Sequence, residues 1–323
     1  MAKVGLIPYT VQALMDSAKE VPPGVKMIEA PQLWSKGIRG NGIVVAVIDT
    51  GCDMDHPELQ SVIIDGYNFT PDHNGDTKNY DDNNGHGTHV CGTIAAVENN
   101  EGVIGVSPNV QLLVLKVLTG KGSGQTDWIV KAIDYAVNWK GPNGEKVRII
   151  SMSLGGPSDD PELHESIINA IEKNVLVVCA AGNEGDGDER TDEFSYPGAY
   201  QEVVEVGSVS LEGKISPFSN SNDSVDLVGP GEKILSTYMN GQYAVLSGTS
   251  MATPHIAGAA ALVLQEEEKQ KGQALTEAEL FQALIKRTVT LNFNRNLQGS
   301  GLVKLVSYGS KKDEAVTVTG SKN

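Results

Sequence analysis

Ser250 stands in the stretch Leu246-Ser247-Gly248-Thr249-Ser250-Met251-Ala252-Thr253-Pro254-His255, between a tight glycine turn and the apolar run Ile256 to Leu264. A serine at the start of a helix lies beside free backbone N–H groups and the positive end of the helix dipole, which suits a nucleophile whose reaction develops an oxyanion. Serine is equally a favoured N-cap residue, so this stretch alone also fits a purely structural role. Pro254 is expected in the first turn, where a missing N–H costs nothing. Acyl transfer by serine further requires a base within hydrogen-bond reach and an acid that orients the base. Of the six histidines, His56, His73, His86, His89, His164 and His255, two stand out. His86 and His89 lie in Asp81-Asp82-Asn83-Asn84-Gly85-His86-Gly87-Thr88-His89-Val90-Cys91-Gly92, at the start of an apolar helical pattern, and spacing alone does not choose between them. The candidate acid is Asp49, which ends the β-branched run Ile43 to Ile48.

The elements that must hold these groups can be read from periodicity. A continuous apolar run such as Ile43 to Ile48 suits a strand buried on both faces of a parallel sheet, and open α/β sheets build their sites at the C-terminal edge of such strands. Further strand-like runs are Leu112 to Val117, Arg148 to Ser153, Val175 to Ala180, Val203 to Val209 and Val225 to Leu227. Helical patterns cover Ala30 to Trp34, Thr88 to Ala96, Asp127 to Asn138, Pro161 to Lys173 and Ser250 to Lys269. The alternation predicts an α/β fold, a doubly wound and mostly parallel central sheet flanked by helices. Residues 1–18 look different. Leu6-Ile7-Pro8-Tyr9 reads as extended, whereas Val11, Leu14, Met15 and Ala18 recur at helical spacing and predict a short amphipathic helix. No G-x-G-x-x-G follows the Asp49 strand, which excludes a dinucleotide site there, and Gly120-Lys121-Gly122-Ser123-Gly124 lacks the spacing of a P-loop.

The 323 residues show no Pro/Ser-rich interior linker and read as one globular unit. A net charge of −16 argues against a nucleic-acid surface, and its clustered carboxylates could hold calcium. Cys52, Cys91 and Cys179 have no metal-type spacing and read as reduced thiols of a cytoplasmic protein. The apolar run Val4 to Tyr9 is interrupted by Gly5 and Pro8, too short for a signal peptide, and no run of 18 apolar residues suggests a membrane span.

Asp49-Thr50-Gly51, His86-Gly87-Thr88-His89 and Gly248-Thr249-Ser250-Met251-Ala252-Thr253-Pro254, in that order, resemble the subtilisin family of serine endopeptidases, closest to its intracellular members. The resemblance runs from about Val21 to Leu305 and implies Ser250 as nucleophile, His86 as general base and Asp49 as the acid fixing the imidazole tautomer. It gives His89 a structural position. Val178-Cys179-Ala180-Ala181-Gly182-Asn183-Glu184-Gly185 resembles the family's oxyanion stretch, with the Asn183 amide and the Ser250 N–H as donors. Leu118 with Gly122-Ser123-Gly124, and Ser153-Leu154-Gly155-Gly156, resemble the two rims between which an extended peptide substrate adds as a third strand. Gly155, Gly156 and Gly182 would leave room for a large apolar P1 side chain, with Glu184 at the rim able to favour a cation. An α/β-hydrolase esterase is disfavoured, because the serine lacks the G-x-S-x-G elbow and the triad order differs. A catalytically silent peptide-binding module has no support, since all three triad positions are filled.

The resemblance also implies a structural calcium at Glu58, the carbonyls of Val97, Glu101 and Val103, and the Asn99 side chain, although Lys19 stands where many members supply a glutamine ligand. A second calcium candidate is Asp186, Glu193, Thr191 and the Arg190 carbonyl, in the acidic loop after Asn183. Tyr196-Pro197 matches a position that is usually a cis peptide. Cys91 reads as a small buried space-filler. By resemblance to the intracellular members, residues 1–18 form an inhibitory extension in which Leu6, Ile7, Pro8 and Tyr9 cross the cleft, residues 19–305 the catalytic domain, and residues 306–323 a C-terminal tail. Expected partners are protein and peptide substrates and the chain's own extension, with a homodimer through an exchanged tail as a further expectation, and no nucleic acid or membrane.

Overall fold

The computed structural model describes residues 3–307. Nine strands form the central sheet, in the order Thr288–Val289, Leu302–Val303, Val225–Pro230, Val204–Val209, Leu176–Ala180, Val147–Met152, Val44–Asp49, Gln111–Lys116 and Ile63–Asn68. All neighbouring pairs are parallel except the first, which is antiparallel. The expected α/β architecture is therefore present, with the Val44–Asp49 strand inside the sheet between Val147–Met152 and Gln111–Lys116.

The unbroken apolar run of this strand follows from period-two geometry with both faces covered. Val45 and Val47 pack in one core with Leu112, Val114, Ile149 and Val178, beneath the helices His86–Ala95 and Thr249–Lys271. Val44, Ala46 and Ile48 pack in the other with Leu113, Leu115, Ile150 and Val177, against Thr126–Asn138 and Pro161–Glu172. Pro161–Glu172 starts where its sequence demands: Asp160 accepts hydrogen bonds from the N–H groups of Glu162 and Leu163, and Pro161 fills the first turn.

Two expectations fail. The helix expected from Val11 to Ala18 is a strand, Thr10–Met15, which pairs antiparallel with Gln242–Ser247 and so joins the hairpin that Gln242–Ser247 makes with Ile234–Tyr238. The ladder offered by a hairpin edge outweighs the helical spacing of a segment too short to nucleate a helix alone. Leu14 and Val11, the residues that suggested an apolar stripe, are 57% and 47% exposed. Pro254 lies in the second turn of its helix, not the first, because the helix begins at Thr249. The carbonyl of Ser250, four residues earlier, loses its helical partner and accepts instead from Ser153 Oγ at 3.0 Å. Of the expected C-terminal tail, residues 308–323 lie outside the described residues. Tyr196-Pro197 is cis.

Glu205 sits in the middle of the sheet, fully buried. Its Oε1 accepts from Asn222 Nδ2 at 3.0 Å, and its Oε2 has no hydrogen-bond partner among the described residues. Burial pushes its carboxyl up to about 8, so the folded chain holds a proton that an unfolded glutamate releases near 4.5. The stability this contributes is complete below about pH 4.5 and is lost as pH rises through about 8. Glu205→Gln is therefore expected to flatten the decline of unfolding free energy across this window, measured by denaturant titration at several pH values; parallel curves for variant and wild type would contradict the assignment.

Candidate active site

Parallel strands end along one edge, and the residues singled out in the sequence gather there. Asp49 is the last residue of its strand, His86 the first of its helix and Ser250 the second of the long helix. Ser250 is not the cap, because Gly248 occupies that position and no side chain caps the helix. His86 Nδ1 and Asp49 Oδ1 are 2.8 Å apart and both side chains are buried. A carboxylate can only accept, so Nδ1 carries the hydrogen and the Nε2 lone pair is left as the basic atom. His86 Nε2 has no hydrogen-bond partner among the described residues, and Ser250 Oγ turns toward the Ser153 carbonyl at 3.4 Å. His89 is bound elsewhere, its Nε2 3.0 Å from the Ile234 carbonyl, and burial pulls it down to about 3, so it stays neutral. That contact separates the two histidines, which spacing could not do.

Two positioning residues escaped the sequence reading. Asp82 Oδ1 accepts from Thr50 Oγ1, Asn84 N and Gly85 N, while Oδ2 accepts from Thr88 N and Thr88 Oγ1. Thr50 Oγ1 in turn accepts from Gly87 N at 2.8 Å, so one carboxylate ties the end of the Asp49 strand to the start of the His86 helix. An acid followed by Asn-Asn-Gly just before a helix was the available signal. Lys116 interrupts an apolar run at the end of the strand Gln111–Lys116 and is fully buried. Its Nζ donates to the carbonyls of Thr50 at 2.6 Å and Leu118 at 3.0 Å and to Asn83 Oδ1 at 2.9 Å, with Asp72 Oδ2 at 3.4 Å. Burial lowers its pKa, and the charges of Asp82 and Asp72 oppose that shift.

Asn183 has a fixed orientation. Its Oδ1 accepts from Thr249 N at 2.8 Å and Thr249 Oγ1 at 2.9 Å, which turns the NH2 group into the cleft, where Nδ2 donates to the Pro8 carbonyl at 2.6 Å. Within the two stretches expected as rims, Ser123–Gln125 and Leu154–Gly155 are short strands, and the strand Lys3–Leu6 lies between them, antiparallel to both. Val4 faces Gly124, Gly5 faces both Ser123 and Gly155, Leu6 faces Leu154, and Leu6 N donates to the Gly122 carbonyl at 2.9 Å. A Cβ at Gly124 would crowd Leu118, and one at Gly122 would meet Leu6. Beyond Pro8, the Tyr9 ring lies 4.8 Å from the His86 ring and its hydroxyl donates to Asn84 Oδ1.

A cavity of about 330 Å3 adjoins Ile7, lined by Gly155, Gly156, Glu184, Glu193, Phe194 and Asn220 among others. Gly182 does not line it; its φ of +115° and the closeness of Asn220 explain that glycine. Glu193 and Phe194 were not foreseen as lining residues. Glu184 Oε2 accepts from Asn183 N at 2.9 Å.

The two calcium candidates differ in fit. Glu58 is buried and its carboxylate already accepts from Val103 N and Tyr243 OH, while Asn99 Oδ1 accepts from Glu101 N. Burial, with the nearby charge of Glu101, nevertheless pushes Glu58 up to about 7, and Lys19, Glu58, Asn99 and Glu101 line one shared cavity. In the acidic loop, Asp186 Oδ1 and Glu193 Oε1 both lie 3.0 Å from Thr191 Oγ1, which has only one hydrogen to give. Two carboxylates converging on one hydroxyl suit a cation. The Arg190 guanidinium is turned away to Asp188. Among the described residues no three His, Cys, Asp or Glu side chains converge as a metal site. All three cysteines are buried and free, and Cys91 packs in the core as expected.

The sequence matches the Subtilase family over residues 40–309. It is 54% identical to the intracellular serine protease of Paenibacillus polymyxa, covering 94% of this chain and 91% of that protein. It is 53% identical to the major intracellular serine protease of Bacillus subtilis, covering 97% of each. Subtilisin E of the same species is 39% identical, over 89% of this chain and 71% of its own. With the strand order, the Asp49–His86 pair and the oriented Asn183 amide already in place, these matches show that the chain belongs to the subtilase family.

Proposed function

We propose that this subtilase, a serine endopeptidase by family, hydrolyses peptide bonds through an acyl-enzyme on Ser250, and that residues 1–18 keep it latent until they are removed. In this reading Ser250 Oγ attacks the substrate carbonyl carbon while His86 Nε2 takes its proton, and Asp49 holds the imidazole in the tautomer that leaves Nε2 free. Asn183 Nδ2 and the N-terminus of the Ser250 helix meet the developing oxyanion. His86 then returns the proton to the leaving amine, and water releases the acyl group by the same relay. Pairing along two rims reads backbone more than side chain, so specificity is broad. The cavity beside Ile7 suits a large P1 side chain, apolar in body, with Glu184 able to favour a cation.

The observation that carries the reading is the chain's own peptide in the cleft: Lys3–Leu6 as a substrate-like third strand and the Pro8 carbonyl on the Asn183 amide. Pro8 offers no N–H and a fixed φ. With Ser250 Oγ on the Ser153 carbonyl and His86 Nε2 without a partner among the described residues, the relay from serine to histidine is not engaged. A cytoplasmic setting belongs to this reading, supported by the three free buried thiols and by the word intracellular in the relatives' names.

We propose also that calcium binds at the Asp186, Thr191 and Glu193 loop with the Arg190 carbonyl, and at Glu58 with Asn99 and the carbonyls of Val97, Glu101 and Val103. Bound calcium would neutralise carboxylates beside the P1 cavity and order its wall.

The latency reading is tested by folding the full chain, cutting it between residues 16 and 19, and following hydrolysis of a peptide anilide. The cut chain is expected to show a much higher initial rate, and Ser250→Ala in the cut chain to lose about the 10^6-fold in kcat typical of subtilisins without their nucleophile. Equal initial rates before and after cutting would remove the inhibitory role. For calcium, thermal melts with chelator and with added calcium should separate, the bound form gaining about 2.7 kcal/mol at 100 times the dissociation constant; superimposable melts would exclude both sites.

A further inference from the structure

The strand Gln242–Ser247 has two edges. Ile234–Tyr238 takes one, and the other is paired from Tyr243 to Ser247 by Thr10–Met15 from the N-terminal extension. The register runs in two parts. Ser247 pairs with Thr10 and Leu246 with Val11, close to Asn183 and the reacting region. After an irregularity at which Gln12 has no counterpart, Val245 pairs with Ala13, Ala244 with Leu14 and Tyr243 with Met15. The extension thus follows one course across the site, from Lys3–Leu6 on the acyl side, over Ile7, Pro8 and Tyr9, into the Thr10–Met15 ladder on the leaving side.

Resting on the peptidase reading above, we propose that the processed enzyme has a distal leaving-side binding site along Tyr243–Val245, which takes extended, unfolded polypeptide five to seven residues beyond the residue whose carbonyl meets Asn183. Loss of residues 1–18 strips the ladder from this edge and leaves backbone donors and acceptors facing outward, a template for another strand. The chain itself shows what fits. Met15 and Ala18 pack against Ala96, Val103, Leu235 and Tyr243, whereas Leu14 points to solvent at 57% exposure. The site therefore asks for an extended backbone and one apolar side chain at the Met15 place, and leaves the alternate position free. Gln242 Nε2 donates to Asp16 Oδ1 at 2.8 Å, which marks the far end of the contact. A folded protein cannot present so long an extended run, and a short peptide cannot reach it, so the site favours unfolded chains over both.

The test uses full-length protein, folded and then cut by a site-specific protease whose recognition sequence is placed at the exposed residues Asp16 and Ser17. Three peptides share one acyl side. The first has two leaving-side residues, the second nine with leucine at the seventh, and the third is the second with N-methyl groups at positions five to eight. The second is expected to exceed the first in kcat/KM by about tenfold or more, chiefly through KM, and the third to fall back to the level of the first, because N-methylation removes the ladder donors while the enzyme is untouched. Equal kcat/KM for the second and third overturns the proposal alone. Cleavage of none of the three overturns the peptidase reading and this proposal with it.

Discussion

The double-sided burial of the Val44–Asp49 strand is the constraint on which the site depends. Because helices cover both faces, the strand is fixed in register between two parallel neighbours, and its last residue, Asp49, is delivered to the C-terminal edge without freedom to move. Lys116, at the end of the adjacent strand, clamps the Thr50 carbonyl just past that point, and the Asp82 carboxylate binds the same turn to the start of the His86 helix. The 2.8 Å contact between His86 and Asp49 is the result of this framing, since neither side chain has solvent to turn into. Two buried charged groups, Lys116 and Asp82, are affordable there because each is surrounded by hydrogen-bond partners.

The same edge holds its own occupant. Lys3–Leu6 pairs its backbone with Ser123–Gln125 on one side and Leu154–Gly155 on the other, and the Pro8 carbonyl accepts from the Asn183 amide. Tyr9 packs beside the His86 ring, and the serine hydroxyl rests on Ser153. Ser153 serves two needs at once, because its hydroxyl also satisfies the Ser250 carbonyl that Pro254 leaves without a helical partner. Pro254, in the Ser250 helix, and Pro8, in front of it, share one property, a missing N–H.

How much was legible in the sequence followed from how local the signal was. Asp49, His86, Ser250 and Asn183 sit in short contiguous motifs, and the strands of the sheet announce themselves as continuous apolar runs. The Thr10–Met15 strand could not be read this way. Its partner, Gln242–Ser247, lies more than two hundred residues away, and its own spacing of apolar residues imitates a helix. Asp82 and Lys116 were opaque for a related reason: a carboxylate or a lysine reads as solvated until three-dimensional contacts supply its partners. The acidic loop read correctly as carboxylate-rich, but only the fold brings Asp186 and Glu193 onto one hydroxyl while sending Arg190 elsewhere.

The central claim is that Ser250 is a nucleophile held out of action by the extension in front of it. Its most direct test is the rate of fluorophosphonate labelling, with the adduct mapped by mass spectrometry, on the full chain before and after cutting between residues 16 and 19. The account predicts a single adduct on Ser250 that forms much faster after the cut and is absent from Ser250→Ala. Labelling at the same rate in both forms, or on a residue other than Ser250, would contradict it.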